Sequence, residues 1–262
     1  METGKGNFYK LVEVMKRLRG ENGCPWDKKQ NHKSLKPYLI EETYEVISAI
    51  DKGDDEELKE ELGDLLLQIV FHAQIASEEG RFTIDDVAQT IVDKLIRRHP
   101  HVFGDVKVNG AEEVLQNWEK IKKDEGKSSI FDGVPDGLPA LLKARRVQEK
   151  AKRVGFDWDN IGGTLDKVEE EFKELRNAIE SGSKEDIEEE FGDLLFSLVN
   201  VSRFLGIDAE DALRKTIDKF MKRFRLLEEK VKRQGDKELE NHTLEELDKI
   251  WDEVKDEEAK NE

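Results

Sequence analysis

Apolar residues recur at helical spacing along most of the chain. In the first half this spacing predicts four amphipathic helices, over about 7–19, 35–51, 55–79 and 84–98, and a short fifth over about 111–124. Gly53, Gly80 and Pro100 stand where three of these helices should end. Thr83 precedes two acidic residues, a pattern that predicts an N-cap. The GCPWD segment that follows the first predicted helix is interpreted as a loop.

The pattern then repeats at a distance of 129 positions. GDLLLQIV from Gly63 and GDLLFSLV from Gly192 are near copies, and 192 − 63 = 129. Three further pairs of segments match: DKLIRR with DKFMKR, WEKIK with WDEVK, and GCPWD with GFDWD. The 4 tryptophans therefore pair across the two halves of the chain. Such self-similarity predicts two similar structural modules.

A segment rich in glycine, serine and proline, KKDEGKSSIFDGVPDGLP at 122–139, contains the break between the copies. We divide the chain into a helical module at 1–123, a linker at 124–138 and a second helical module at 139–262. The predicted fold is all-α, because leucine, lysine and glutamate dominate and only 5 prolines occur.

Five carboxylates occupy the same positions in both copies, on helices that must also pack. They are Glu41, Glu42, Glu45, Glu61 and Asp64, and then Glu170, Glu171, Glu174, Glu190 and Asp193. Residues three or four apart share a helix face, and a turn between neighbouring helices would bring the two sets together, as in four-helix-bundle metal sites. Crowded carboxylates need a cation, and oxygen ligands favour Mg²⁺ or Mn²⁺.

The alternative is a solvated acidic face, since 61 of the 262 residues are acidic. The short pattern EExxE is therefore weak, and we interpret its occurrence at Glu56, Glu57 and Glu60 as solvated. The full pattern is EExxE, fifteen intervening residues and ExxD. A random chain of this composition would show it about 0.15 times, whereas this chain shows it twice.

Basic residues downstream of the acids also match across the halves: Lys94, Arg97 and Arg98 with Lys219, Lys222 and Arg223. Lys94 and Arg98 lie one helical turn apart, as do Lys219 and Arg223, and such pairs can neutralise a polyphosphate. The alternative is a solvated helix end, which the helix dipole favours.

Each half also places a tryptophan four residues before a lysine. The pairs are Trp118 with Lys122 and Trp251 with Lys255. The indole can stack on a base while the lysine meets a phosphate. The alternative is packing of the tryptophan in a core or an interface.

Charge and composition exclude several classes of function. The net charge of −17 disfavours a nucleic-acid polymer as partner. The single cysteine, Cys24, excludes an internal disulfide and suits a reducing cytoplasm. The longest apolar runs are too short to span a bilayer, so we expect a soluble cytoplasmic protein without a membrane partner. The 5 histidines form neither ExxH nor HExxH, which argues against di-iron and zinc-protease sites.

The motifs EETYE…ELGD and EEFKE…EFGD, together with GCPWD and RRHPHVFGD, resemble the MazG family over nearly the whole chain. This family belongs to the all-α NTP pyrophosphatase superfamily. The resemblance implies Mg²⁺-dependent hydrolysis of nucleoside triphosphates to NMP and PPi, with Mn²⁺ as a substitute. It implies breadth over ribo- and deoxynucleotides, house-cleaning of the nucleotide pool, and homodimers whose bundles are completed by both protomers.

The resemblance also assigns roles by position. The implied metal ligands are Glu42, Glu45, Glu61, Asp64, Glu171, Glu174, Glu190 and Asp193. The implied catalytic residues are Glu41, Glu42, Glu45, Glu61, Arg97, Arg98, Glu170, Glu171 and Glu174, of which one acid would orient or deprotonate the attacking water. The implied nucleotide and phosphate contacts are Lys94, Arg98, Trp118, Lys122, Lys167, Lys219, Arg223, Trp251 and Lys255.

Three alternatives stay open at this point. One or both halves are active, and family analogy favours the second for triphosphate turnover, although GFDWD and KRFRLLEE there replace GCPWD and RRHPHVFG. A phosphohydrolase that releases orthophosphate, or that acts on an alarmone, would use similar acids. An acidic helical dimer without hydrolytic activity would use them only as a solvated interaction surface.

Overall fold

The computed structural model describes residues 6–110, 113–114, 117–118, 121, 129–233 and 239–261. Regular structure in these ranges is helical throughout and includes no strand, which confirms the all-α prediction. The chain separates into two compact units, residues 1–118 and 119–262. Within the described ranges, no helix combines the length and the apolar character needed to cross a membrane.

The first unit contains six described helices. They are α1 (Asn7–Arg19), α2 (Pro25–Lys29), α3 (Lys36–Lys52), α4 (Asp55–Glu78), α5 (Ile84–Arg98) and α6 (Pro100–Phe103). The four long helices confirm the predicted ones to within a residue or two. The helix predicted over 111–124 lies mostly outside the described residues. The short helices α2 and α6 were not predicted, and each begins at a proline, which is favoured in a first helical turn.

Local signals explain the turns of this unit. Gly53 ends α3 in the left-handed conformation (φ 67°), and the Asp54 side chain then caps α4 by accepting from the backbone N–H groups of Glu56 and Glu57. This short connection makes α3 and α4 an antiparallel hairpin. Thr83 is the N-cap of α5, as predicted, and the structure adds a capping box with Asp86.

The second unit repeats the hairpin. Its helices are α7 (Ala140–Lys152), α8 (Ile161–Ser181), α9 (Lys184–Phe204), α10 (Ala209–Arg233) and α11 (Leu244–Asn261), with a 3₁₀ turn at Leu239–Asn241. Gly182 (φ 76°) and the N-cap Ser183 connect α8 to α9 as Gly53 and Asp54 connect α3 to α4. The tandem arrangement is thereby confirmed.

Each unit has its own apolar cluster. In the first unit, helices α1 and α4 and the residue before α3 contribute Met15, Leu35, Val70, Phe71 and Ile75. In the second unit, α10 packs on α11 through Leu227, Val231, Ile250 and Val254. The first cluster packs against the first hairpin through α4, whereas the second cluster joins the two helices that follow the second hairpin.

Candidate active sites

The first hairpin brings three of the candidate carboxylates together. Glu42 and Glu45 lie one turn apart on α3, and Glu61 faces them from α4. Each offers an oxygen within 4.8 Å of the others. Glu42 and Glu61 are half-buried while Glu45 is exposed. We call these three residues the first triad.

Burial and mutual repulsion both act on this triad. Burial raises the pKa of Glu42, the charges of Asp64 and Glu45 raise it further, and a hydrogen bond donated by Gln68 Nε2 (3.3 Å) opposes them. Burial also raises the pKa of Glu61, followed by the charges of Glu45 and Asp64. Asp64 lies outside the triad, yet its charge acts on two of its members. The ionised site is therefore short of positive charge, which is the condition that favours a bound cation.

The second hairpin repeats this arrangement. Glu171 and Glu174 on α8 and Glu190 on α9 place oxygens within 4.8 Å of one another, and we call them the second triad. Glu171 is 5% exposed. Burial raises the pKa of Glu190, followed by the charges of Glu174, Glu171 and Asp193. Both halves therefore hold crowded carboxylates at matching positions.

A lysine distinguishes the second triad from the first. Lys167 Nζ donates to Glu171 at 2.7 Å and to Glu170 at 3.0 Å. These bonds raise the pKa of Lys167, with Glu171 as the larger cause. The matching position in the first unit is Tyr38, since 167 − 129 = 38. A candidate phosphate contact thus lies against a candidate metal ligand in the second unit.

The other candidate cations lie on helices outside the two hairpins: Lys94, Arg97 and Arg98 on α5, and Lys219 and Arg223 on α10. Arg223 Nε donates to Glu258 of α11 at 2.6 Å. Lys255 of α11 pairs with Asp252 at 2.6 Å. These two groups would have to exchange their protein partners for a phosphate if they bind one.

The candidate tryptophans take part in packing. Trp251 lies against the α10–α11 cluster, with its ring 5.1 Å from that of Phe220. Trp118 meets the His99 ring edge-on at 5.2 Å, and its buried Nε1 donates to no group that the structure describes. Lys122 lies outside the described residues. Glu41 is exposed on α3, next to the first triad in sequence.

A cavity of about 600 Å³ in the second unit adjoins the second triad. Lys167, Glu171 and Asp193 line it. Its remaining wall includes residues that the sequence analysis did not single out individually: Phe131, Gln148, Phe156, Trp158, Thr164, Phe196, Ser197, Asn200 and Arg203. A comparison of the buried positions of the two halves would have revealed the polar residues of this wall, because the first unit has apolar residues at several of the matching positions.

Comparisons with known proteins agree with the motifs. The MazG nucleotide pyrophosphohydrolase domain family matches residues 30–103 and again residues 162–225. The chain is 53% identical over 251 residues to the nucleoside triphosphate pyrophosphohydrolase/pyrophosphatase MazG of Thermotoga maritima, covering 95% of each chain. It is 47% identical to the nucleoside triphosphate pyrophosphohydrolase of Escherichia coli K12, covering 94% of this chain and 96% of that one. A solved MazG-related protein from Thermotoga maritima is 32% identical and covers 44% of this chain, with a TM-score of 0.39.

Proposed function

The chain belongs to the MazG nucleotide pyrophosphohydrolase family, and from this membership we propose that it hydrolyses nucleoside triphosphates to nucleoside monophosphates and pyrophosphate. We propose Mg²⁺ as the cofactor and a range that covers ribo- and deoxynucleotides. The observation that carries this proposal is the pair of glutamate triads, each with oxygens within 4.8 Å. Relatives at 53% and 47% identity bear the name of this activity.

The residues present fit a hard divalent cation. Every donor in the triads is a carboxylate oxygen, and burial and crowding raise the pKa values of Glu42, Glu61 and Glu190, so positive charge would stabilise their ionised forms. The residues that would hold the ion are Glu42, Glu45, Glu61 and Asp64, and Glu171, Glu174, Glu190 and Asp193. When bound, such an ion polarises phosphoryl oxygens and lowers the pKa of a coordinated water.

The chain's own residues supply the rest of the chemistry. Lys167 holds a positive charge against the second triad, where it can pair with a substrate phosphate. Glu170 is exposed beside it, as Glu41 is in the first unit, and we assign to these acids the orientation of the attacking water and the uptake of its proton. Attack at the α-phosphorus then breaks the bond to the β-phosphate and needs no covalent nucleophile.

We also propose that the protein is a homodimer. The hairpins expose large apolar side chains beside their acids, between 40% and 58% exposed: Ile40, Tyr44, Leu62 and Ile69 in the first, and Phe172, Ile179, Phe191, Leu195, Phe196 and Leu198 in the second. A partner protomer that contributes its own helices would cover these side chains and complete four-helix bundles. Light scattering after size exclusion should give twice the mass of the chain, and a monomer at micromolar concentration would contradict this.

Product analysis tests the activity. The protein is incubated with Mg²⁺ and each ribo- and deoxynucleoside triphosphate, and NMP, NDP, PPi and Pi are resolved. We expect NMP and PPi in equal amounts. Glu45→Gln and Glu174→Gln remove one proposed ligand from each triad, and Glu13→Gln, at an exposed position of α1, is the matched control. We expect a loss on the order of 100-fold in Glu174→Gln and none in Glu13→Gln.

Other product patterns would contradict the proposal in different ways. NDP with Pi would place the protein among phosphohydrolases that cleave the terminal phosphate. No product from any nucleotide would favour the acidic interaction module. A loss confined to Glu45→Gln would move the working site to the first unit.

A further inference from the structure

The cavity of the second unit occupies positions that form the apolar core of the first unit. Helices α1 and α7 both have 13 residues, and their ninth residues are Met15 and Gln148. The shift of 129 relates the other positions. Three buried apolar residues thereby correspond to polar ones: Met15, Leu35 and Phe71 to Gln148, Thr164 and Asn200. Both copies have the acids, but where the first unit has an apolar core the second has a partly polar cavity.

Gln148 lines this cavity and carries a hydrogen-bond acceptor that no described group uses. It is 6% exposed. Its Nε2 donates to the backbone carbonyl of Phe196 at 2.8 Å, which fixes the orientation of the amide. Its Oε1 is buried and accepts no hydrogen bond from any group in the described part of the chain. A buried acceptor without a donor is destabilising, so its presence beside a cavity indicates a ligand that donates.

The neighbouring hydroxyl groups have the same polarity. Thr164 Oγ1 donates to the carbonyl of Ile161 at 2.7 Å, and Ser197 Oγ donates to that of Leu194 at 2.8 Å. Each hydroxyl proton is therefore engaged, and the oxygen retains only its capacity to accept. The Gln148, Thr164 and Ser197 side chains thus favour a ligand group that donates an N–H.

The apolar part of the wall is aromatic. Phe131, Phe156, Trp158 and Phe196 line the cavity. Arg203 ties the loop that carries Phe156 and Trp158 to α9, since its Nη1 donates to Asp157 at 3.0 Å. Aromatic rings beside hydrogen-bond acceptors form a surface suited to a flat, nitrogen-rich ring.

We propose that this cavity receives the nucleobase of the substrate and that Gln148 Oε1 accepts an N–H group of the base. The proposal rests on the proposed hydrolysis and adds the site of base recognition. Lys167, Glu171 and Asp193 line the same cavity, so a nucleotide whose base enters it has its phosphates at the second triad. In the first unit Met15, Leu35 and Phe71 fill the corresponding positions, and base recognition therefore belongs to the second unit.

The test replaces Gln148 by the residue of the first unit. Gln148→Met keeps the length of the side chain and removes the acceptor. We measure kcat and KM for ATP, CTP, GTP and UTP, and for methyl triphosphate, which has neither sugar nor base. The expected result is a fall of about tenfold in kcat/KM for the nucleotides, mostly through KM, with methyl triphosphate unchanged. Met15→Leu, at the matching position of α1, should change neither.

Two results would overturn the proposal: an equal fall for methyl triphosphate, which would mean that Gln148 only supports the triad, or unchanged KM values for all four nucleotides. Thr164→Val removes a second acceptor and should lower kcat/KM in the same selective way, which keeps the proposal testable if Gln148→Met folds poorly.

A binding measurement separates this proposal from the proposed hydrolysis. Calorimetry in EDTA measures the affinity of the wild-type protein and of Gln148→Met for adenosine, cytidine, guanosine and uridine, which carry the base but no phosphate that the metal-free carboxylates would repel. A loss of about tenfold in the variant supports the base site even if no triphosphate is hydrolysed. Equal affinities in the two proteins, or no binding of any nucleoside to the wild type, would overturn it.

Discussion

Replacing Glu45 by glutamine should stabilise the metal-free protein and weaken its response to Mg²⁺. Glu45 is exposed, and its oxygen lies within 4.8 Å of oxygens of Glu42 and Glu61. The substitution keeps the shape of the side chain and removes one of three crowded charges. The same change in an isolated acid, Glu13→Gln, should have little effect in either condition.

The magnitude follows from the distance between Glu45 and Glu42. Two unit charges 4.8 Å apart repel by about 0.9 kcal/mol in a medium as polar as water. Glu42 is half-buried, which lowers the local dielectric constant, so relief on the order of 1–2 kcal/mol is expected. A gain of 1 kcal/mol corresponds to a rise of about 4 °C in the Tm of a unit of this size.

Added metal should reverse the order of stability. At Mg²⁺ concentrations of about 100 times Kd, binding stabilises the wild-type protein by about 2.7 kcal/mol. The variant has lost a charged ligand and should gain at least about 1 kcal/mol less. Thermal unfolding in EDTA measures the relief of repulsion, and thermal unfolding in Mg²⁺ measures the stabilisation by the ion. Hydrogen exchange on α3 and α4 assigns both effects to the first unit.

The reversal is the result that tests the reasoning. Glu45→Gln should unfold at a higher temperature than the wild type in EDTA and at a lower temperature in Mg²⁺. A variant that is less stable in EDTA would show that the three carboxylates do not repel one another significantly. Equal stabilisation of both proteins by Mg²⁺ would show that the first triad is not where the ion binds.

Two further predictions concern charges at other buried positions. Lys167→Met leaves the buried Glu171 without its 2.7 Å partner and should lower the free energy of unfolding by about 1–2 kcal/mol in EDTA. The cost is smaller than for a fully buried pair because the Lys167 side chain is 36% exposed. Urea unfolding should show that Mg²⁺ restores most of this loss of stability. Burial and then the charge of His32, whose Nδ1 lies 2.7 Å from that of His72, lower the pKa of His72. The unfolded chain therefore binds more protons, and stability should fall below pH 6.5 by up to about 1.4 kcal/mol per pH unit. The double variant His32→Ile with His72→Val, which takes the residues of the second unit, should flatten this dependence in urea titrations between pH 5 and 8, and an unchanged slope would contradict the assignment.

The parts of the fold that sequence predicted depend on local chemistry. Gly53 predicted the end of α3 and Thr83 predicted the start of α5, and the structure confirms both. The short helices α2 and α6 could not be predicted in this way. In the sequence Pro100 indicates the end of a helix and Pro25 part of a loop, although proline is also favoured in a first helical turn.

The acids could be predicted from the sequence, whereas the cavity could not. Glu42 and Glu45 can be identified from the sequence because they interrupt an apolar pattern and because acids at the same spacing interrupt it in the second half. Gln148 lies in ALLKARRVQEKAK, where polar residues are abundant, and its burial arises only when α7 packs near α9. Propensity and periodicity contain no information about that contact, and so neither could single out the residue.

The two halves show how a duplicated helical unit can divide its functions. The proposed carboxylate metal site needs only two helices at a fixed distance, and both hairpins bring their helices together through the same glycine turn. A base pocket also needs an empty, polar volume behind the hairpin, which removes apolar contacts from the core. The first unit keeps those contacts through Met15, Leu35 and Phe71, each at most 3% exposed. Since filling one core position by a large apolar side chain contributes about 2–5 kcal/mol, the first unit gains stability by keeping these side chains, and the base recognition proposed for the second unit would come at the cost of that stability.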